Sequence, residues 1–147
     1  MNQSDCSRRL LWHGLLLFLL GLVTGLVVPV LANPRMGLSA HMEGVMNGLF
    51  VAVLGLMWER LVLSRRAAAV LFWLALYGTY ANWASTLLAA VFATNRSTPI
   101  AGAGFGGLPW QENLVDFGLI SVGIAMIAAT ALALWGLRRP RPSTPPA

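Results

Sequence analysis

The chain has 147 residues, of which 57% are hydrophobic and only 10% are charged, and its formal net charge is +5. A soluble domain carries about 25% charged residues, so this composition excludes an ordinary soluble domain and predicts an integral membrane protein in contact with lipid. All ten basic residues are arginines. They lie in small groups between apolar runs, as is typical of membrane flanks, and we therefore predict no nucleic-acid partner.

Four apolar runs are each long enough to supply the about 20 helical residues that cross a bilayer. They cover approximately residues 10–31, 40–63, 67–93 and 114–137. The first run exceeds the roughly 7–15 residues of a signal-peptide core, so we expect it to be an uncleaved span. The sequence thus predicts an all-α fold, a four-helix bundle in one membrane domain, with a disordered Arg- and Pro-rich tail at 138–147.

The arginines also predict the orientation of the chain. Most of them fall on one side of the predicted bundle, and only Arg35 and Arg96 fall on the other. The positive-inside rule then places both termini in the cytoplasm, as expected for a multi-pass protein of a bacterial-type inner membrane. The long loop at 94–113 is rich in Gly and polar residues. It is either a lid over the outer face or a flexible connector.

Polar side chains within the spans are few, and intramembrane polar groups are candidates for function. A helix rises about 1.5 Å per residue, which places Asn47 about 9 Å deeper than His41 and Asn82 about 16 Å below the same outer face, all within the outer half of the bundle. We expect one cavity there, lined by His41, Asn47, Tyr80, Asn82 and Thr86. His13 lies near the opposite face, cannot join this cavity, and is interpreted as an interfacial histidine.

Several of these residues allow a structural interpretation beside the functional one. Glu43 shares a helix face with Asn47; it either acts at the site or reaches interfacial water or Arg35. The asparagines Asn47 and Asn82 can simply join helices by hydrogen bonds. Small residues follow one another along the second span, among them Gly44 and Gly48. Their spacing favours close helix packing, and the alternative is room for a flat cofactor beside His41.

His41 has no second histidine at its depth. One chain therefore cannot hold haem between two histidines, but it can hold iron on one side and leave the other side open. Open coordination suits binding and activation rather than electron transfer. Zinc is not expected, because it takes three or four protein ligands.

Three stretches of the sequence resemble the hydroxylaminobenzene mutases. They are LLxFLLGLxTG at 15–25, ANPRMGLSAHxEGxxNG at 32–48 and FWLALYGTYANW at 72–83. The resemblance covers about residues 11–137. It implies an isomerase that rearranges hydroxylaminobenzene, a small aromatic hydroxylamine, to 2-aminophenol with no net redox change.

A second resemblance, to styrene oxide isomerase, rests on AHxxxxxNG at 40–48 and on the pair Ala81-Asn82. It implies a homotrimer with ferric haem b between subunits, acting as a Lewis acid. The axial histidine of that enzyme falls on His41, and a catalytic asparagine falls on Asn47. Its catalytic tyrosine falls near Thr86, for which Tyr80 is a candidate substitute.

From both resemblances we expect His41 to bind the haem iron beside Gly44 and Gly48. Asn47, with Asn82 nearby, holds the N–H or O–H of the substrate, and Glu43 or Tyr80 moves the proton. Two other classes are alternatives. A small four-span multidrug-type transporter would need a glutamate deep in the first span, which is missing here. A haem-bearing electron-transfer subunit would need a second axial histidine.

Overall fold

The computed structural model of the protein describes residues 3–138. Within this range the chain is helical and contains no β-strand, which confirms the predicted all-α class. The four long helices are α1 (Gln3–Val27), α2 (Pro34–Met57), α3 (Arg65–Phe92) and α4 (Pro109–Arg138). Arg138 is the last residue of α4 and does not belong to a tail; the rest of the predicted tail, 139–147, lies outside the described residues.

Three helical segments within residues 3–138 are long and apolar enough to cross a membrane: Gln3–Val30, Pro34–Arg60 and Pro109–Arg138. They correspond to the first, second and fourth predicted spans. Helix α3 has 28 residues but is not among them, because polar side chains such as Tyr80, Asn82 and Thr86 lower its hydropathy. The membrane character is thus shown by three helices, and the third span stays a prediction.

Two polar residues mark where the central helices begin. The side chain of Asn33 accepts hydrogen bonds from the backbone N–H groups of Arg35 and Met36, at 3.1 and 3.2 Å, and Pro34 occupies the first turn of α2. Both features are typical of a helix N-terminus. The side chain of Ser64 caps α3 in the same way. Helix α2 therefore begins six residues before the apolar span predicted at 40–63.

Each helix packs mainly on its neighbour in chain order, α1 on α2, α2 on α3 and α3 on α4. Cys6 of α1 shares a buried cluster with Trp58 and Leu71, and the N–H of Val62 donates to the carbonyl of Gly136 at 3.0 Å. Residues 3 and 138 therefore lie at the same end of the bundle. We call the opposite end, formed by residues 28–33 and 93–108, the loop end.

Helices α1 and α2 approach each other so closely that only glycine fits at their crossing. A Cβ atom added to Gly44 would lie 2.4 Å from the Cα atom of Gly21, and one added to Gly21 would lie 2.5 Å from the nitrogen of Val45. Small residues allow this close backbone approach between membrane helices. The crossing brings the backbone of α1 within reach of the polar side chains of α2.

The connection between α3 and α4 is folded against the loop end. Glu112 is only 7% exposed, and its carboxylate accepts three backbone N–H groups at 3.0–3.1 Å, those of Asn95, Arg96 and Gly107. The guanidinium of Arg35 donates to the carbonyl of Ala103 and lies over the ring of Phe105. The connection is thus a packed segment attached to both α2 and α4, not a free connector.

Candidate active site

A carboxylate and two amides meet between α2 and α3. The Oε2 atom of Glu43 accepts a hydrogen bond from Nδ2 of Asn82 at 2.6 Å and another from Nδ2 of Asn47 at 3.1 Å. Glu43 and Asn47 lie one turn apart on α2 and share a face, and α3 supplies Asn82. We call these three residues the Glu43 cluster; all three are among the residues that the sequence predicts to act at the site.

The Glu43 cluster is sheltered inside the helical layer. Asn47 is 8% exposed, and Glu43 and Asn82 are half-buried. Polar groups in such surroundings are costly unless they are hydrogen-bonded, and here each of the three has a partner. The alternative pairing of Glu43 with Arg35 does not occur, because the guanidinium of Arg35 is bound to the loop at Ala103. The carboxylate is therefore committed to the two amides.

His41 lies against α1, near the loop end. Its Nδ1 atom is 2.8 Å from the carbonyl oxygen of Gly21. A carbonyl can only accept, so Nδ1 carries the proton, and in the neutral ring Nε2 holds a free electron pair. Nε2 has no hydrogen-bond partner among residues 3–138. Histidines that bind metals typically donate their other N–H to a carbonyl in this way, so His41 has the geometry of a ligand through Nε2.

His41 and the Glu43 cluster lie on different faces of α2. His41 packs against α1 at Gly21, whereas Glu43 and Asn47 face Asn82 on α3. At 3.6 residues per turn, positions 41 and 43 are separated by about 200° around the helix. The sequence predicted one cavity because these residues share the outer half of the bundle, but within one chain His41 and the Glu43 cluster do not line a single cavity.

Tyr80 faces a third direction and joins His13 instead. Its hydroxyl lies 3.2 Å from Nδ1 of His13 and 3.3 Å from the carbonyl oxygen of the same residue. Tyr80 and Asn82 are two positions apart on α3, so they project from different sides of the helix. The structure therefore separates Tyr80 from the Glu43 cluster, and His13 is a half-buried partner of Tyr80 rather than a free interfacial histidine. Thr86 donates to the carbonyl of Asn82 at 2.8 Å, within its own helix.

Gly44 and Gly48 have a packing role in this structure. The space above Gly44 is filled by the backbone of Gly21, and a Cβ atom on Gly48 would lie 2.5 Å from the nitrogen of Phe18. A flat ring cannot lie against these two glycines while α1 occupies the same space. The close-packing interpretation of the small residues is thus the one that the structure supports.

The described residues contain no group of three or more His, Cys, Asp and Glu side chains that could hold a metal ion. His13 lies on α1 itself, whereas His41 of α2 contacts α1 at Gly21, and positions 13 and 21 are separated by about 12 Å along a helix. A metal or metallocofactor on this chain would therefore depend on one imidazole, and His41 is the histidine with the suitable second hydrogen bond.

Two important partners were missed by the sequence interpretation. Gly21 fixes the ring of His41, and Glu112 holds the loop. The sequence did contain a pattern that indicates Gly21. Gly14, Gly21 and Gly25 lie seven and four residues apart, on one side of the first span, and could pack against the small residues of the second span. No pattern in the sequence pointed to Glu112, because its partners are backbone groups.

Three helices are apolar and long enough to cross a membrane, and a carboxylate and two amides meet between α2 and α3. These two features define the class of the protein as a helical membrane protein with a polar site between its helices. The sequence model of the styrene oxide isomerase family matches residues 6–138. The chain is 54% identical to hydroxylaminobenzene mutase HabB of Ectopseudomonas oleovorans, over 93% of this chain and 84% of that protein, and 46% identical to HabA of the same organism, over 86% and 94%. The chain therefore belongs to the hydroxylaminobenzene mutase family.

This membership makes the protein an isomerase of the mutase type. It favours the enzyme over the two alternatives that the sequence left open, a transporter and an electron-transfer subunit. No solved structure matches the chain.

Proposed function

We propose that the protein isomerises hydroxylaminobenzene, or a substituted arylhydroxylamine of the same kind, to the corresponding 2-aminophenol. The observation that carries this proposal is the Glu43 cluster, in which a carboxylate and two amides are held together inside an apolar helical layer. Such a cluster can bind the N–H and O–H groups of the substrate while the apolar surroundings receive the aromatic ring. The name of the two relatives, hydroxylaminobenzene mutase, supports this choice of substrate.

We propose that His41 holds ferric haem b through Nε2. The hydrogen bond from Nδ1 to Gly21 supports this assignment, because it fixes the ring in the tautomer that a metal requires. When bound, the haem would supply a Lewis acid that favours heterolytic cleavage of the N–O bond. Gly44 and Gly48 are not part of this proposal, since α1 fills the space beside them.

The reaction conserves all atoms and electrons of the substrate. The N–O bond breaks, a C–O bond forms at the ortho carbon, and the ortho proton moves to nitrogen. Oε2 of Glu43 is committed to the two amides, so we assign the proton transfer to Oε1, the other carboxylate oxygen. Asn47 and Asn82 orient the N–H and O–H groups, and the sheltered position of the cluster limits access of water to the cationic species.

We further propose that the active assembly is a homotrimer in a bacterial-type inner membrane, with both termini in the cytoplasm. The separation of His41 from the Glu43 cluster on α2 supports an oligomer, since a site that uses both needs contributions from two copies. The position of residues 3 and 138 at one end of the bundle supports a common side for the termini. An apolar substrate can enter such a site from the lipid.

The test compares two matched substitutions in the detergent-purified protein, His41→Gln and His13→Gln. Glutamine at position 41 keeps a polar side chain of similar length but cannot replace the imidazole as an iron ligand. We expect a Soret band in the wild type and in His13→Gln, and its loss in His41→Gln. Formation of 2-aminophenol from hydroxylaminobenzene, measured anaerobically and without a reductant, should be lost with it.

The two parts of the proposal can fail separately. Turnover by a colourless, metal-free preparation would show that the haem assignment is wrong while the mutase activity stands. A coloured preparation that leaves hydroxylaminobenzene unchanged would overturn the substrate assignment.

A further inference from the structure

The hydrogen bonds of Glu43 determine how the two asparagine amides are turned. A carboxylate oxygen accepts but cannot donate in its ionised form, so the groups that face Oε2 must be the Nδ2 atoms of Asn47 and Asn82. With either amide reversed, two oxygen atoms would face each other at a hydrogen-bonding distance. The Oδ1 atom of each asparagine therefore lies on the side of the amide away from Oε2.

These two Oδ1 atoms have no hydrogen-bond partner among the described residues, and neither has Oε1 of Glu43. Each amide also retains one N–H hydrogen. The Glu43 cluster thus offers three accepting oxygens and two N–H donors to a ligand. Such an excess of acceptors suits a ligand that itself donates hydrogen bonds.

We propose that Oε2 of Glu43 determines the substrate specificity of the enzyme, because it holds both amides with their oxygens toward the ligand and so selects compounds that carry N–H and O–H donors at the reacting atoms. This inference rests on the proposed function and deepens it. Aryl epoxides, the substrate class in the name of the matching family model, carry an oxygen that only accepts. An epoxide would leave the three cluster oxygens without partners in a sheltered site.

Rejection of this kind is strong in enzymes. When a site is built to bind a substrate N–H or O–H, an analogue without that group has a kcat/KM that is lower by a factor of about 10⁴–10⁵. The reason is that the polar groups of the site lose their partners. We therefore expect the wild-type enzyme to convert hydroxylaminobenzene with a kcat/KM at least about 10³ times that for styrene oxide. This comparison uses the unmodified protein. Equal efficiency with both substrates would overturn the inference.

A second experiment separates hydrogen bonding from shape. Two analogues serve as competitive ligands, N-methyl-N-phenylhydroxylamine, which lacks the N–H, and O-methyl-N-phenylhydroxylamine, which lacks the O–H. Their inhibition constants are compared with the KM of hydroxylaminobenzene in the wild type, in Glu43→Gln and in Glu43→Leu. The carbonyl oxygen of a glutamine can still accept both amide N–H groups, whereas leucine has no acceptor.

In the wild type we expect each methyl analogue to bind at least about tenfold more weakly than the substrate, as the loss of a hydrogen bond to a fixed polar group predicts. Glu43→Gln should keep the ratio of the inhibition constant to the KM of hydroxylaminobenzene. Its turnover should fall, because the carboxylate that transfers the proton is gone. Glu43→Leu should bring the ratio close to one. The added methyl group has the same bulk in all three proteins, so a change in the ratio reports the hydrogen bond rather than the fit.

An unchanged ratio in Glu43→Leu, or an equal loss of the ratio in both variants, would show that Oε2 does not determine specificity. Such a result would leave the proposed function intact, since wild-type turnover of hydroxylaminobenzene is measured separately. Conversely, absence of that turnover in the wild type would contradict the proposed function itself. If Glu43→Leu does not fold, Glu43→Ala, which also has no acceptor at this position, takes its place in the comparison with Glu43→Gln.

Discussion

The imidazole of His41 is fixed by the backbone of another helix, since its Nδ1 atom donates to the carbonyl oxygen of Gly21 at 2.8 Å. A carbonyl inside α1 normally accepts from its own helix, and this one also accepts from a side chain of α2. The contact is reached because no side chain separates the two helices at Gly21 and Gly44. Close packing and the orientation of His41 thus have one cause.

The first prediction concerns Gly25, which lies one turn beyond Gly21 and contacts the same imidazole. A Cβ atom added there would lie 2.8 Å from Nδ1 of His41 and 3.2 Å from Cε1. The contact involves only the end of a side chain, so we expect Gly25→Ala to fold but to turn the ring away from Gly21. Activity should fall about 10–100-fold, as expected for a misplaced active-site group.

The measurement for Gly25→Ala is the turnover of hydroxylaminobenzene together with the absorption spectrum of the purified variant. Gly123→Ala is the matched control, because a Cβ atom at that position on α4 has nothing within 4 Å. Wild-type activity in Gly25→Ala would mean that the orientation of His41 does not matter for the reaction.

The second prediction concerns the stability of the α1–α2 crossing. A Cβ atom on Gly44 would meet backbone atoms of Gly21 at 2.4 Å, and backbone cannot yield as a side chain can. We expect Gly44→Ala to destabilise the protein by about 1–3 kcal/mol or more, as overpacking does. Gly123→Ala should leave stability unchanged or raise it by about 0.5–1 kcal/mol, because alanine is the better helix former. Thermal unfolding in detergent measures both; equal midpoints would contradict the close crossing.

The sequence was a good guide to helices and depths, for reasons that residues 38–50 illustrate. The apolar run and the turn residues around Asn33 predict a helix, and a constant rise per residue places both Asn47 and Asn82 in the outer half of the bundle. Their common hydrogen-bond partner Glu43 agrees with that estimate. The i, i+4 spacing of Glu43 and Asn47 also predicted that they share a face.

Rotation about the helix axis could not be predicted in the same way. Tyr80 and Asn82 have nearly the same depth but face different helices, and His41 is similarly separated from Glu43. Which face of α2 meets α1 depends on where the glycines of both helices coincide, and that is a property of the pair of helices. The sequence of a single span therefore does not predict which of its faces meets the neighbouring helix.

The third prediction uses this difference in rotation. Tyr80 contacts His13 and not the Glu43 cluster, so Tyr80→Phe should lower stability by about 0.5–1.5 kcal/mol through the lost hydrogen bond. A group that moves the proton contributes about 10²–10⁴-fold, and we expect the kcat of Tyr80→Phe to stay within about threefold of wild type. Asn82→Leu is the comparison, and it should lose at least about tenfold in kcat/KM. A larger loss in Tyr80→Phe than in Asn82→Leu would assign the proton transfer to the tyrosine.

The fourth prediction concerns the loop end, where two carboxylates on α4 differ sharply in their surroundings. Glu112 is buried and accepts three backbone N–H groups, while Asp116 pairs with Arg96, whose side chain is 51% exposed. Glu112→Leu removes the acceptor of three backbone N–H groups, and a hydrogen bond contributes about 0.5–1.5 kcal/mol. Asp116→Asn removes an ion pair at the surface, which contributes about 0–1 kcal/mol.

We therefore expect Glu112→Leu to expose the segment at 94–108 to limited proteolysis and to speed hydrogen exchange of the amides of Asn95, Arg96 and Gly107, with Asp116→Asn close to wild type in both measurements. The comparison is sharp because both substitutions remove a carboxylate from the first turns of the same helix. Equal protection of the segment in the two variants would mean that the loop is held by its contacts with Arg35 on α2, and that the three hydrogen bonds to Glu112 contribute little to its order.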